Sequence, residues 1–136
     1  MGLPLSAEQL LMARSSGYAI KQSLRSNAAD SAYLTRTFSA PTLQTKWTLS
    51  LWHRRGNIGT LQHIFCSSGT RAYIRFTTND ELVFVYNATT YRTSVPLFRD
   101  PTAYYHLVFE YDQSLAAADQ LKIHVGGARI ATTGAT

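Results

Sequence analysis

Glu110 and Asp112 are the one close pair of carboxylates inside a strand-like run of this 136-residue sequence. Glycoside hydrolysis needs two carboxylates at a set separation, one acting as acid and the other as base or nucleophile. Strand alternation puts Glu110 and Asp112 on one face. No third acid stands in register with them, and the run passes straight into a loop. A solvated strand end is therefore expected, with no catalytic residues and no enzymatic activity. The four histidines, His53, His63, His106 and His124, are far apart, and none has the two-histidine helical spacing of a zinc protease. Structural roles are expected for them. Asp80, Asp100 and Asp112 are the acids placed to serve a calcium ion. Calcium favours a dense set of oxygen donors on one loop, and no loop here carries one, so no cofactor is expected, with calcium at these acids as the alternative. Cys66 is the only cysteine and cannot form an intrachain disulfide. Its apolar neighbours predict a buried small hydrophobe. The glycines of Gly56-Asn57-Ile58-Gly59 suit a turn between strands better than a phosphate loop.

Binding chemistry is better represented. Ten of the thirteen basic residues are arginine and the net charge is +5, which makes an anionic partner conceivable because the guanidinium fork matches carboxylates and phosphates. The basic residues are scattered, with only Arg54 and Arg55 adjacent, and no nucleic-acid motif accompanies them, so nucleic acid is not an expected partner. Trp52 falls on the polar side of its strand pattern, and Tyr73, Tyr91 and Tyr104 read as exposed. Sugars stack on aromatic faces, so these four are the candidate glycan contacts; packing of the same rings against the opposite sheet or a neighbouring chain is the competing reading. No segment approaches the roughly 18 consecutive apolar residues of a membrane helix, so no membrane insertion is expected. Met1 to Ala13 lacks the basic start of a secretory signal.

The elements that would position these residues follow from periodicity. Ser6 and Gln9 form a capping-box start, and Ala7 to Arg14 is rich in helix formers. Residues 1–17 thus read as a docking arm with a short helix, in which Leu5, Leu10, Leu11 and Met12 supply the apolar contacts. From Tyr18 the period becomes two. Strands are predicted over Tyr18 to Leu24, Tyr33 to Phe38, Lys46 to Arg54, Leu61 to Cys66, Arg71 to Thr77, Glu81 to Asn87, Tyr91 to Val95, Ala103 to Tyr111 and Gln120 to Val125. In Lys46 to Arg54, Trp47, Leu49 and Leu51 share one face and Thr48, Ser50 and Trp52 the other. Turn residues Thr78-Asn79-Asp80 and Gly126-Gly127 predict hairpins. Pro96, which has no amide proton, is predicted to stop its strand. Many short strands, with no helix long enough for a parallel crossover, predict an all-β antiparallel sandwich over residues 18–136.

Four stretches then resemble a known family. Ser23-Leu24-Arg25-Ser26-Asn27 with Asp30-Ser31-Ala32-Tyr33-Leu34 is similar to the opening of phage laminin-G-like, concanavalin A-like domains. Trp47-Thr48-Leu49-Ser50-Leu51-Trp52-His53-Arg54-Arg55-Gly56 resembles their strand and loop. Phe98-Arg99-Asp100-Pro101-Thr102-Ala103-Tyr104-Tyr105-His106-Leu107-Val108 and Leu121-Lys122-Ile123-His124-Val125-Gly126-Gly127 resemble two later elements. Ser26 departs from the pattern, standing where an aromatic is common, and Gly126 replaces an asparagine. The resemblance implies a jelly-roll sandwich and a place in a bacteriophage virion, as a tail-fibre or appendage subunit. Its partners would be other virion proteins of tail, portal or capsid, with a host-surface glycan as the alternative partner of an adhesin. It also implies closing strands beyond Ile130. Edges left open by their absence are usually covered, which predicts a homo-oligomer, a trimer by analogy with fibres.

Overall fold

The computed structural model describes residues 25, 28–37, 39–40, 43, 45–67, 72–86 and 89–134. The expected arm with Leu5, Leu10, Leu11 and Met12, and the expected strand over Tyr18 to Leu24, lie outside them. The chain divides into two compact units, Met1–Ser39 and Ala40–Thr136. In the first, Ala28–Asp30 form a single 3-10 turn. Of the strand expected over Tyr33 to Phe38, residues 33–37 are described and form no strand, and Tyr33 and Leu34 are 83% and 80% exposed. Period-two patterning makes a strand only where a neighbouring ladder takes up its backbone groups.

Among the described residues the second unit holds nine strands: β1 (Lys46–Arg54), β2 (Gln62–Cys66), β3 (Ala72–Phe76), β4 (Glu81–Tyr86), β5 (Thr89–Leu97), β6 (Tyr104–Asp112), β7 (Leu121–Val125), β8 (Ala128–Arg129) and β9 (Thr132–Thr133). They form a four-stranded sheet in the order β1-β6-β7-β8 and a five-stranded sheet in the order β2-β3-β4-β5-β9. Every pairing is antiparallel. The all-β antiparallel sandwich read from the sequence is thus the observed fold.

Alternation decides the core. On β1 the exposed and half-buried classes alternate strictly, with Trp47, Leu49, Leu51 and His53 inward. Ile74 and Phe76 of β3, Leu82 and Phe84 of β4, Leu107 and Phe109 of β6, and Leu121 and Ile123 of β7 make one buried cluster, joined by Phe98. Aromatic contacts tie the layers together: Trp47 lies 5.8 Å from Phe84 and stacks on Tyr111 at 5.5 Å.

Pro96 does not stop β5, which runs through to Leu97. The β4–β5 register shifts between Glu81 and Val83. There the Leu82 amide donates to Ser94 Oγ, and Ser94 donates on to the Pro96 carbonyl. A bulge needs no amide at the proline, so the strand continues. The two expected hairpins are present. Asp80 takes φ +66° in the β3–β4 turn, and Gly126 and Gly127 take +59° and +87° between β7 and β8. The latter pair of left-handed residues is what a two-residue hairpin of this twist demands.

Cys66 is exposed, not buried. It ends the edge strand β2, where Ile64 takes the inward position against the core.

Candidate functional site

Two arginines that read as surface residues are buried, and one of them organises the ends of the strands. Arg55, 1% exposed, follows β1 directly. Its Nη1 donates to Asp80 Oδ1 at 2.7 Å and to the Phe98 carbonyl at 2.6 Å. Nε reaches Gln62 Oε1 at 3.3 Å and Nη2 the Thr60 carbonyl at 3.4 Å. The guanidinium also lies over the Phe76 ring, 4.6 Å from its centre. Asp80 accepts in turn from the Gly59 amide at 2.7 Å and from Arg99 Nε at 3.3 Å. The Gly59 amide, and after it Arg55 and Arg99, hold the Asp80 carboxyl below its ordinary range. The loop after β1, the β3–β4 turn and the segment before β6 are thereby pinned to one ion pair. Arg92, the second, donates to the Tyr91 and Ala117 carbonyls.

With its ends fixed, the four-stranded sheet presents an outward face of alternating residues from β1 and β6. Register places Arg54 opposite Tyr104, Trp52 opposite His106, Ser50 opposite Val108, Thr48 opposite Glu110 and Lys46 opposite Asp112. Trp52 is 56% and Tyr104 59% exposed, and they are diagonal neighbours across the β1–β6 pair. The Trp52 ring stacks on His106 at 4.9 Å, inclined by 21°. His106 Nε2 is hydrogen-bonded to Ser50 Oγ at 3.0 Å. Arg54 lies over the Tyr104 ring at 5.6 Å and donates to the Pro101 carbonyl at 2.8 Å. The result is a platform of two exposed rings, each braced from one side. At the far end of the same face is a recess of about 400 Å³ whose lining includes Lys46, Thr48, Glu110, Asp112, Leu115 and Lys122.

The four aromatic candidates are not brought together. Trp52 and Tyr104 share the platform. Tyr73 is half-buried on β3, in the other sheet. Tyr91, which read as exposed, packs inward against the core and lies edge-on to Phe84 and Tyr111 at 6.2 and 6.5 Å. Its hydroxyl donates to Gln120 Oε1. A bulge in the β4–β5 register between Phe84 and Val85 shifts the alternation at that point. His106 and Arg54 were missed as members of the platform. The signal available was their place opposite Trp52 and Tyr104, which needs the β1–β6 register.

Glu110 and Asp112 do share the outward face of β6. Asp112 accepts from the Ser114 hydroxyl and amide and pairs with Lys46 at 2.9 Å. The Ser114 hydroxyl, followed by Lys46, pulls its carboxyl down to about 2. Glu110 Oε2 lies 3.5 Å from His124 Nε2. Asp100 accepts from the Thr102 amide and hydroxyl. The three acids weighed as calcium ligands are thus each engaged by donors of the chain itself, in separate places. Among the described residues no three His, Cys, Asp or Glu side chains gather in a way that would hold a metal. His53 packs inward against Phe76 at 5.5 Å; burial, and then Arg55, lowers its pKa.

The family model described as the concanavalin A-like lectin/glucanases superfamily, in its laminin G form, matches residues 27–136. No curated protein and no solved structure matches the chain. With that match over most of its length, two antiparallel sheets and a shared aliphatic-aromatic core, the chain belongs to the laminin G-like domains of the concanavalin A-like lectin/glucanases superfamily.

Proposed function

We propose that this domain is a non-enzymatic glycan-binding attachment module, and that the outward face of β1 and β6 is its contact surface. One observation carries the reading: Trp52, more than half exposed, stacks on His106 beside exposed Tyr104, at one end of an outward sheet face that also carries Lys46, Thr48, Ser50, Glu110 and Asp112. A rigid exposed indole offers a large apolar surface at little cost in side-chain entropy, and a sugar ring presents the matching apolar C–H face. Thr48, Ser50, Glu110 and Lys122 flank the path from the platform to the recess and offer donors and acceptors for hydroxyl groups.

The module is proposed to belong to a bacteriophage tail fibre or appendage, docked on the particle through Leu5, Leu10, Leu11 and Met12. Support for this part is the resemblance of Trp47 to Gly56, Phe98 to Val108 and Leu121 to Gly127 to phage virion domains. Homo-oligomerisation, as a trimer, follows from the same resemblance.

The test is titration calorimetry of the whole chain against a panel of bacterial surface polysaccharides, with Trp52→Ala as control. Saturable binding that Trp52→Ala weakens about tenfold or more, or about 1.4 kcal/mol, supports the reading. Binding that is indifferent to Trp52, or absent across the panel, removes it. Imaging of an assembled particle tests the virion placement.

A further inference from the structure

The five-stranded sheet carries a separate cluster that the proposed glycan face does not use. His63 of β2 and Arg75 of β3 are direct cross-strand partners. Tyr73, two residues before Arg75 on the same strand, shares their side. The Arg75 guanidinium lies 4.9 Å from the Tyr73 ring centre, and the His63 ring meets the same tyrosine edge-on at 5.4 Å. Arg75 Nε is closed off from solvent and has no hydrogen-bond partner. Among the described residues no carboxylate comes within ion-pair distance of Arg75, whereas Lys46, Arg55, Arg99 and Arg129 each have an aspartate. Glu81, on the neighbouring strand β4, accepts from the Thr77 hydroxyl at 3.0 Å.

A half-buried guanidinium without a counter-charge bears a desolvation cost that an arriving anion would offset. Stacking on Tyr73 fixes the guanidinium plane, so the fork is set before a ligand arrives. His63 adds a ring N–H beside it, and no acid stands between the two. We propose that His63, Tyr73 and Arg75 form a binding site for an oxyanion: a carboxylate, sulfate or phosphate group. Arg75 grips two oxygens of the group with its planar donors and His63 donates to a third position. Tyr73 is the positioning residue. The anion comes either free from solution or as a substituent of an acidic polysaccharide.

The experiment follows the ring-proton NMR signals of His63 in the full chain, assigned with His63→Gln, while sodium sulfate, phosphate or acetate replaces sodium chloride at constant ionic strength. The site predicts a saturable shift at His63 and none at the buried His53. Arg75→Met, which keeps the apolar stem on Tyr73, abolishes it. Arg75→Lys, a second variant that keeps the charge and loses the fork, weakens it by tenfold or more. Trp52→Ala leaves it unchanged, so this site and the glycan face fail separately. A His63 response that tracks ionic strength alone, or that persists in Arg75→Met, overturns the proposal. Saturation at a tenfold lower anion concentration with a sulfated or uronic polysaccharide identifies a glycan substituent as the source. Equal saturation with the inorganic salts identifies the free ion.

Discussion

Replacing Arg55 with methionine tests whether one ion pair holds the strand ends in place. Methionine fills a similar volume and donates nothing. The Phe98 and Thr60 carbonyls and Gln62 Oε1 lose their donor, and Asp80 keeps only the Gly59 amide and the more exposed Arg99. The Arg55 side chain is fully shut off from water, and removing one partner from such a buried pair costs about 3–5 kcal/mol. For a unit of this size each kcal/mol moves the melting temperature by about 4–8 °C. The expected fall is therefore about 12–40 °C, measured by thermal unfolding followed by circular dichroism. Arg55→Lys keeps the charge without the fork and falls between the two. A melting temperature for Arg55→Met within about 5 °C of the parent would refute the reasoning, because the pair would then contribute no more than an exposed one.

Truncating Phe109, fully buried in the shared core, to alanine is expected to cost about 3–5 kcal/mol in chemical denaturation. Gly134→Ala would loosen β9 from β5: its φ is +132° and the new Cβ would stand 2.8 Å from the Tyr91 carbonyl oxygen, so a lower melting temperature and faster amide exchange at Thr132 and Thr133 are expected. Stability is expected to fall in two steps on acidification. His53 and His63 have lowered pKa values in the folded state, so unfolded chains bind more protons than folded ones below about 6.5 and stability starts to decline there. Asp80, Asp100, Asp112 and Asp119 are also held low. Their contribution is complete above the ordinary carboxylate range and is lost as the pH falls from about 4 towards about 2, where Asp112 protonates. Denaturant midpoints across that range check both steps, and a midpoint flat from pH 7 to pH 3 would contradict them.

The strands were legible wherever a local pattern and the tertiary outcome agree. Lys46–Arg54 shows this well, because its alternating apolar set is the set that faces the core. Tyr33 to Phe38 has the same period, but period alone does not supply a pairing partner. The reading of Pro96 failed because the bulge that tolerates it is built by Ser94, whose hydroxyl takes the Leu82 amide across the strand pair. Of the candidate site, Trp52 and Tyr104 were found from their exposure pattern, while their supports were not. His106 and Arg54 matter through cross-strand register, which joins segments distant in the chain. Arg55 was missed for a related reason. Nothing local distinguishes it from Arg54, and its burial follows from four acceptor groups delivered by three different segments.

The order in which the two sheets can assemble follows from their pairing. In the five-stranded sheet β2, β3, β4 and β5 pair in succession, so each closes a short loop on its predecessor. In the four-stranded sheet β1 must meet β6, and the first residue of β1 faces the last residue of β6. That contact closes a loop containing the whole β2–β5 meander, and long closures are slow because their entropy is lost before contacts reward it. The meander is thus expected to form first, and the β1–β6 seam, on which the Trp52 platform is built, last. A newly made chain would pass through a state in which β1 is synthesised, apolar on one side and still unpaired. Recombinant yield should then respond to temperature and to chaperone supply more strongly than the stability of the finished domain would suggest.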